Sequence, residues 1–366
     1  MPPTTRSKSK GRHPNAVEKK HDNPDPHSNS GVVDRTPQLS SGLRHRRPSS
    51  SSSSSSGPTS AVQAIRDTAQ VIETSVEATA RRLLLRWDDL PPWRRDNPSI
   101  HSGYRPESGS FLASLGSLLY LHNESVNIWT HLIGAAAVAL SVTWAYGFLL
   151  DEIIGPRYAT ASSADAVVFA CFFAGAFCCL GMSATYHMLS NHSEGVAKWG
   201  NKLDYTGIVF LIVGSYVPAL WYGFFCWAGW LTAYLGAIAL LGLGCLVVSW
   251  FEHFRTPAWR PYRALMFVGL GLSGVIPVLH GLSFYGYREL DERMGLSWVL
   301  LQGALYIFGA FLYAVRFPEC KWPGAFDIWG SSHQIFHVCV LLAATSHLYG
   351  MIKAFDHHHS ILGAQC

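Results

Sequence analysis

From residue 126 onward, apolar residues gather into seven long runs, near 126–150, 165–188, 203–224, 228–251, 263–285, 296–316 and 332–353. Each approaches the ~20 residues that an α-helix needs to cross ~30 Å of hydrocarbon. A backbone in lipid must satisfy its own hydrogen bonds, and runs of this length do so as helices. The pattern predicts an all-α chain built as a seven-transmembrane helix bundle. The shortest connection lies around Cys226, where Gly223 and Gly229 bracket a tight turn.

The stretch before these runs has a different pattern. Residues 1–60 are Ser, Pro, Lys, Arg and His, with an unbroken serine run from Ser49 to Ser56. Such a segment buries too little apolar surface to order itself, so a disordered arm is expected. It suits a phosphorylated regulatory tail or a merely solvated one. Over 61–87, Val62, Ile65, Ala69, Ile72, Val76 and Leu83 fall on helical spacing and predict an amphipathic helix. The Pro-containing segment Asp89–Pro98 breaks it. Residues 110–122 are apolar but too short to span, and read as an interfacial helix. The expected organisation is a tail over 1–60, cytosolic helices over 61–122, a transmembrane domain over 123–355 and a short outer tail over 356–366.

Charge gives the bundle a direction. Of the 28 lysines and arginines, 17 lie before residue 106, so the net charge of +4 belongs to the arm and carries no argument for nucleic acid. With the amino terminus cytosolic, the inside loops hold Lys198, Lys202, Arg255, Arg260, Arg263, Arg316 and Lys321. The outside loops and tail hold Arg157, Arg288, Arg293 and Lys353, partly offset by Glu289, Asp291 and Glu292. Positive charge stays inside. The carboxyl end is then extracellular or lumenal, the reverse of a G-protein-coupled receptor. The sequons at Asn123 and Asn191 fall on the cytosolic side and should be unused. The first 60 residues lack a signal-peptide core, so the first span acts as the membrane signal. Cys171, Cys178, Cys179, Cys245 and Cys339 sit in apolar runs as small apolar residues, and no disulfide framework or zinc-finger spacing is expected.

Ionisable residues inside spans are costly and call for a reason. The candidates are His131, His187, Asp204, His280, His333, His337 and His347. The orientation sorts them. His187 ends the second span, Asp204 begins the third, and His333 and His337 begin the seventh, all at the cytosolic end. His333 and His337 are i, i+4 neighbours on one helix face, the spacing with which two histidines ligate one metal. A third imidazole leaves one tetrahedral position open, as in catalytic zinc, and zinc suits an all-His site best. Against this, HxxxH alone is a weak signal, and buried histidines often only hydrogen-bond within a bundle. His347 lies ~15 Å further along the helix and reads as a core histidine. His357–His359 read as an exposed, incidental tail. Ser183, one turn before His187, either supports the site or bonds its own backbone.

These stretches carry a resemblance. Leu90-Pro-Pro-Trp93 with Arg95-Asp-Asn-Pro98, His122-Asn-Glu-Ser-Val-Asn-Ile-Trp-Thr-His131, Ser183-Ala-Thr-Tyr-His187, Lys202-Leu-Asp-Tyr-Thr-Gly207 through Gly214-Ser-Tyr-Val-Pro218, and Ser332-His-Gln-Ile-Phe-His337 are together highly specific. Over roughly 80–355 the chain resembles the progestin and adipoQ receptor family, which includes adiponectin receptors and haemolysin III-like proteins. Its serine-rich arm looks like that of a fungal member. The resemblance implies seven helices with a cytosolic amino terminus. It implies Zn2+ near the inner leaflet on His187, His333 and His337, with Ser183 and Asp204 beside the metal and its water. It also implies kinship to alkaline ceramidases, hence hydrolysis of a ceramide-like lipid amide, and ties to lipid and metal homeostasis signalling. Expected partners are a membrane lipid (ceramide, fatty acid or sterol-like), an extracellular protein ligand and a second copy of the chain. The plasma membrane and the endomembranes both fit. Asp204 would be the general base. The rival readings are a signalling receptor with structural zinc and a zinc transporter; the transporter is disfavoured because no acidic pathway crosses the membrane.

Overall fold

The computed structural model describes residues 84–148 and 158–366, with isolated positions between 62 and 70. The tail expected over 1–60 and most of the amphipathic helix expected over 61–87 lie outside these residues. That helix does not reach 87. Leu85 is extended and bridges to Tyr104, and Trp87–Asp89 forms a 3-10 turn.

Nine α-helices follow, and no β-strand occurs among the described residues. A short helix α1 (Phe111–Gly116) is capped by the Ser110 hydroxyl. The spans are α2 (Ser125–Phe148), α3 (Ser163–Leu189), α4 (Glu194–Phe224), α5 (Ala228–Trp250), α6 with α7 (Arg260–Leu272 and Val275–Met294), α8 (Leu296–Val315) and α9 (Ser332–Ser360). Seven spans are long and apolar enough to cross a membrane, and the chain is a multi-pass integral membrane protein. The fifth breaks at Ser273-Gly274 into α6 and α7. The apolar part of α7 ends at the expected boundary near 285, where Gly286 leaves the helical conformation at φ 70° and kinks the chain; the polar turns beyond it hold Arg293 against Glu289 one turn earlier.

The spans begin with caps that the sequence supplies. Ser162 and Asp165 form a capping box at α3, and Ser193 caps α4. α3 and α4 pack closely because Gly207 and Gly214 face α3. A Cβ on Gly207 would lie 2.8 Å from the Cys179 Cα, and one on Gly214 would lie 2.6 Å from the Cys171 carbonyl oxygen. Without a hydrophobic drive between helices in lipid, such close backbone approach supplies the packing energy. Phe172, Ala176, Leu180, Leu211, Val340 and Phe355 join α3, α4 and α9 in the main core.

The two poles of the bundle differ. At one, α3 ends and α4 and α9 begin. At the other, Tyr222 donates to Asp165 at 2.9 Å, and Phe225 packs on His358. Two expectations change at this second pole. His357–His359 are not an exposed tail: α9 continues to Ser360, and His358 and His359 are buried. Thr160 and the His359 Nδ1 are 2.9 Å apart. The cysteines also yield one disulfide, Cys226–Cys366, which joins the α4–α5 turn to the segment after α9.

Candidate metal centre

His187 lies in the last turn of α3, and His333 and His337 lie in the first turns of α9. The three rings form a near-equilateral set, with every pair of centroids 4.9 Å apart. One nitrogen from each lies within 4.8 Å of the other two. His187 and His337 are buried.

Neighbouring groups orient the rings. The His187 Nδ1 is 2.7 Å from a Glu124 carboxylate oxygen, and its Nε2 is buried with no hydrogen-bond partner. Burial pushes the Glu124 carboxyl up, but His187 and the Asn127 amide outweigh it and hold it below the usual carboxylate range. Glu124 is therefore an ionised acceptor for the His187 Nδ1–H. The His337 Nδ1 lies 3.1 Å from the Asn127 carbonyl oxygen, which accepts its proton. Carboxylate and carbonyl partners on one nitrogen leave the other for a metal. His131 stacks on His337, with centroids 3.7 Å apart and an 8° interplanar angle.

Asp204 sits on α4 facing the end of α3, hydrogen-bonded to Ser183 and within electrostatic reach of His187. Ser183 is thus turned across the α3–α4 contact. Three imidazoles from two helices, one with an orphaned nitrogen, and a carboxyl group beside them fit a divalent ion with one open position. The other candidate histidines lie elsewhere. His280 is 2.7 Å from the Tyr234 hydroxyl, and His347 packs against Phe172.

Two supporting residues carry no hydropathy signal. Glu124 precedes the first span. Arg105, 1 % exposed, donates to the carbonyls of His187 at 2.6 Å and Met188 at 2.9 Å and to the Ser117 hydroxyl at 2.7 Å. These carbonyls lie at a helix end, where a cation is favoured, and the Ser190 hydroxyl also donates to that of His187 at 3.0 Å. Burial draws its pKa down to about 10, so it stays charged at neutral pH. The His-rich spacing pointed to the ligands; only the motif around His122–His131 marked the segment that holds them.

Residues 119–348 match the model of the family described as "Haemolysin-III related". The chain is 45% identical over 285 residues to a Saccharomyces cerevisiae protein named "ADIPOR-like receptor IZH2", a match covering 77% of this chain and 88% of that one. It is 44% identical over 265 residues to the Drosophila melanogaster "Adiponectin receptor protein", covering 72% of this chain and 58% of the fly protein. It is 33% identical over 280 residues to the Arabidopsis thaliana "Heptahelical transmembrane protein 1", covering 75% and 82%.

Proposed function

We propose that this chain, which belongs to the haemolysin-III related family, holds zinc on His187, His333 and His337 and hydrolyses the amide bond of a ceramide-like lipid. The observation that carries the reading is the convergence of three imidazole nitrogens within 4.8 Å, one of them buried and unpartnered. Zinc, when bound, supplies a Lewis acid that polarises a carbonyl and lowers the pKa of water towards ~7. Asp204 takes the proton of the attacking water and returns it to the amide nitrogen as the C–N bond breaks. One water is consumed, and a carboxylate and an amine leave. Ser183 holds Asp204 in place, and Glu124 keeps the proton of His187 on Nδ1. The test is zinc content and ceramide turnover of the purified protein, with and without chelator. Turnover that survives complete metal removal, or that is unchanged in Asp204→Ala, would end this reading.

A receptor with structural zinc is the second reading. It draws support from the position of the three imidazoles, at the end of α3 and the start of α9, and from relatives named as receptors. It predicts that His337→Ala lowers thermal stability while no lipid product forms in any assay.

The same proposal places the histidine pole on the cytosolic side, with lipid and metal homeostasis signalling read out there and a protein ligand at the opposite pole. Loop charge supports this orientation, and so does the position of the disulfide, which belongs in an oxidising compartment. A glycan found on Asn191 would reverse it.

A further inference from the structure

Ahead of the first span, residues 110–121 hold no charged side chain. They form α1 and the 3-10 turn that follows it, Ser117–Leu119. A helix lying against water turns its polar side outward. In α1 the order is reversed. Ser114 and Ser117 face the protein and are fully buried. The Ser114 hydroxyl lies 2.8 Å from that of Ser108, and the Ser117 hydroxyl accepts from the Arg105 guanidinium at 2.7 Å. The apolar side chains point away from the protein. Leu112 is 80 % exposed and Leu119 82 %, with Phe111 and Leu115 exposed beside them. At about 100° per residue, Phe111, Leu112 and Leu115 share an arc of about 100°, and the two serines lie across the helix from it.

Backbone contacts fix this reversed face. The Ser108 amide donates to the Asn191 carbonyl at 2.9 Å and the Gly109 amide to the His192 carbonyl at 3.0 Å. The Asn191 side-chain amide donates to the Pro106 carbonyl at 3.0 Å, and the Phe111 ring packs 4.2 Å from that of His192. Rolling the serines toward water would break these contacts. They also set the level of α1, which docks on the residues just beyond the end of α3. Only residues 120–124 separate its turn from α2, whose first exposed apolar side chains are Trp129 and Ile133. At the same pole Trp199 and Trp250 are exposed, with ring centroids 5.7 Å apart. Indoles gather in this way where a span meets the membrane–water boundary.

We infer that the outer face of α1 and its turn is a lipid-contact surface, seated among the acyl chains of the leaflet on the histidine-pole side. The occupant is lipid because the face is uncharged from end to end, lies at the level of the indoles and runs on into the exposed apolar side of α2. A short helix with its apolar face buried at the headgroup boundary is stable in that position. Through Ser117 the seat also steadies Arg105, whose fork reaches the His187 carbonyl at 2.6 Å. The leaflet thus bears on the helix end that carries one of the three imidazoles.

The test uses the full chain in phosphatidylcholine nanodiscs. The exposed Cys320 is removed as Cys320→Ser, and a nitroxide is attached in turn to Leu112→Cys, Leu119→Cys and, as the aqueous control, Glu107→Cys. Collision with oxygen, which concentrates among acyl chains, is compared with collision with a water-soluble nickel chelate. At 112 and 119 oxygen should exceed the chelate severalfold, and at 107 the order should reverse. Chelate exceeding oxygen at 112 and 119 puts the face in water and overturns the proposal. So does low collision with both, which marks a protein partner; dipolar broadening between labels would identify that partner as a second copy. A label-free measurement guards against perturbation by the nitroxide. Leu112→Asp with Leu119→Asp should lower Tm in nanodiscs by several degrees, since charge is costly in lipid and harmless on a face in water. An unchanged or raised Tm overturns the seat.

Discussion

Glu124 and His187 meet at 2.7 Å across 63 residues of sequence, a carboxylate from ahead of the first span holding an imidazole at the end of the second. The contact fixes which nitrogen of His187 is free. Glu124→Ala is expected to lower metal affinity about 10–100-fold. Competition with a chromogenic chelator measures this, and circular dichroism should show unchanged helix content.

Asp204 is expected to separate binding from turnover. Asp204→Asn should retain wild-type zinc content while ceramide turnover falls about 100-fold or more, because the proton transfer is lost and the ligands are not. Zinc loss matching the loss of turnover would instead make Asp204 a ligand.

Arg105 is expected to matter for stability more than its distance from the imidazoles suggests. Arg105→Met removes the donor to the Met188 carbonyl and leaves that of His187 with the Ser190 hydroxyl alone, a loss of about 1–3 kcal/mol. A lowered Tm with weakened metal retention checks it. Arg105→Lys should recover less than half, since a single ammonium cannot serve carbonyls and hydroxyls spread around a fork.

His122 gives a pH dependence. Its Nδ1 accepts from the Glu124 amide at 3.1 Å, and burial, together with the Arg105 charge, lowers its pKa to about 3. The unfolded chain titrates near 6.5. Between these values the unfolded state binds more protons, so stability falls as pH drops from about 6.5 toward 3. Tm measured from pH 7.5 down to 5 should decline less steeply in His122→Gln, which keeps an acceptor but does not titrate.

The Cys226–Cys366 bridge is expected in non-reducing peptide maps of protein taken from the membrane. Reduction should lower stability by about 2–4 kcal/mol. After reduction, a membrane-impermeant thiol reagent added from outside should label both cysteines. Labelling only after the cytosolic face is opened would invert the proposed orientation.

The seven spans were legible because each is a continuous apolar run, and length alone identifies such a run in lipid. His333 and His337 were legible from helical spacing, and His187 and Asp204 from depth. What escaped reading depends on groups for which the pattern carries no depth. Glu124 and Arg105 lie in polar sequence before the first span, and nothing in that sequence tells which helix end they reach. Three consecutive histidines looked like a solvated tail, yet α9 runs on through them because Phe225, Tyr222 and Thr160 give them neighbours. The disulfide joins positions 140 residues apart, a closure that only the antiparallel course of the helices brings about.

Gly207 lies one turn beyond Asp204 and faces the backbone of α3, so main chain resting on main chain sets the gap between Asp204 and Ser183. The spacing of these two side chains is therefore gauged by a residue with no functional group at all. A methyl there would act as a shim, widening the gap at the acid while every polar atom of the site stayed in the sequence.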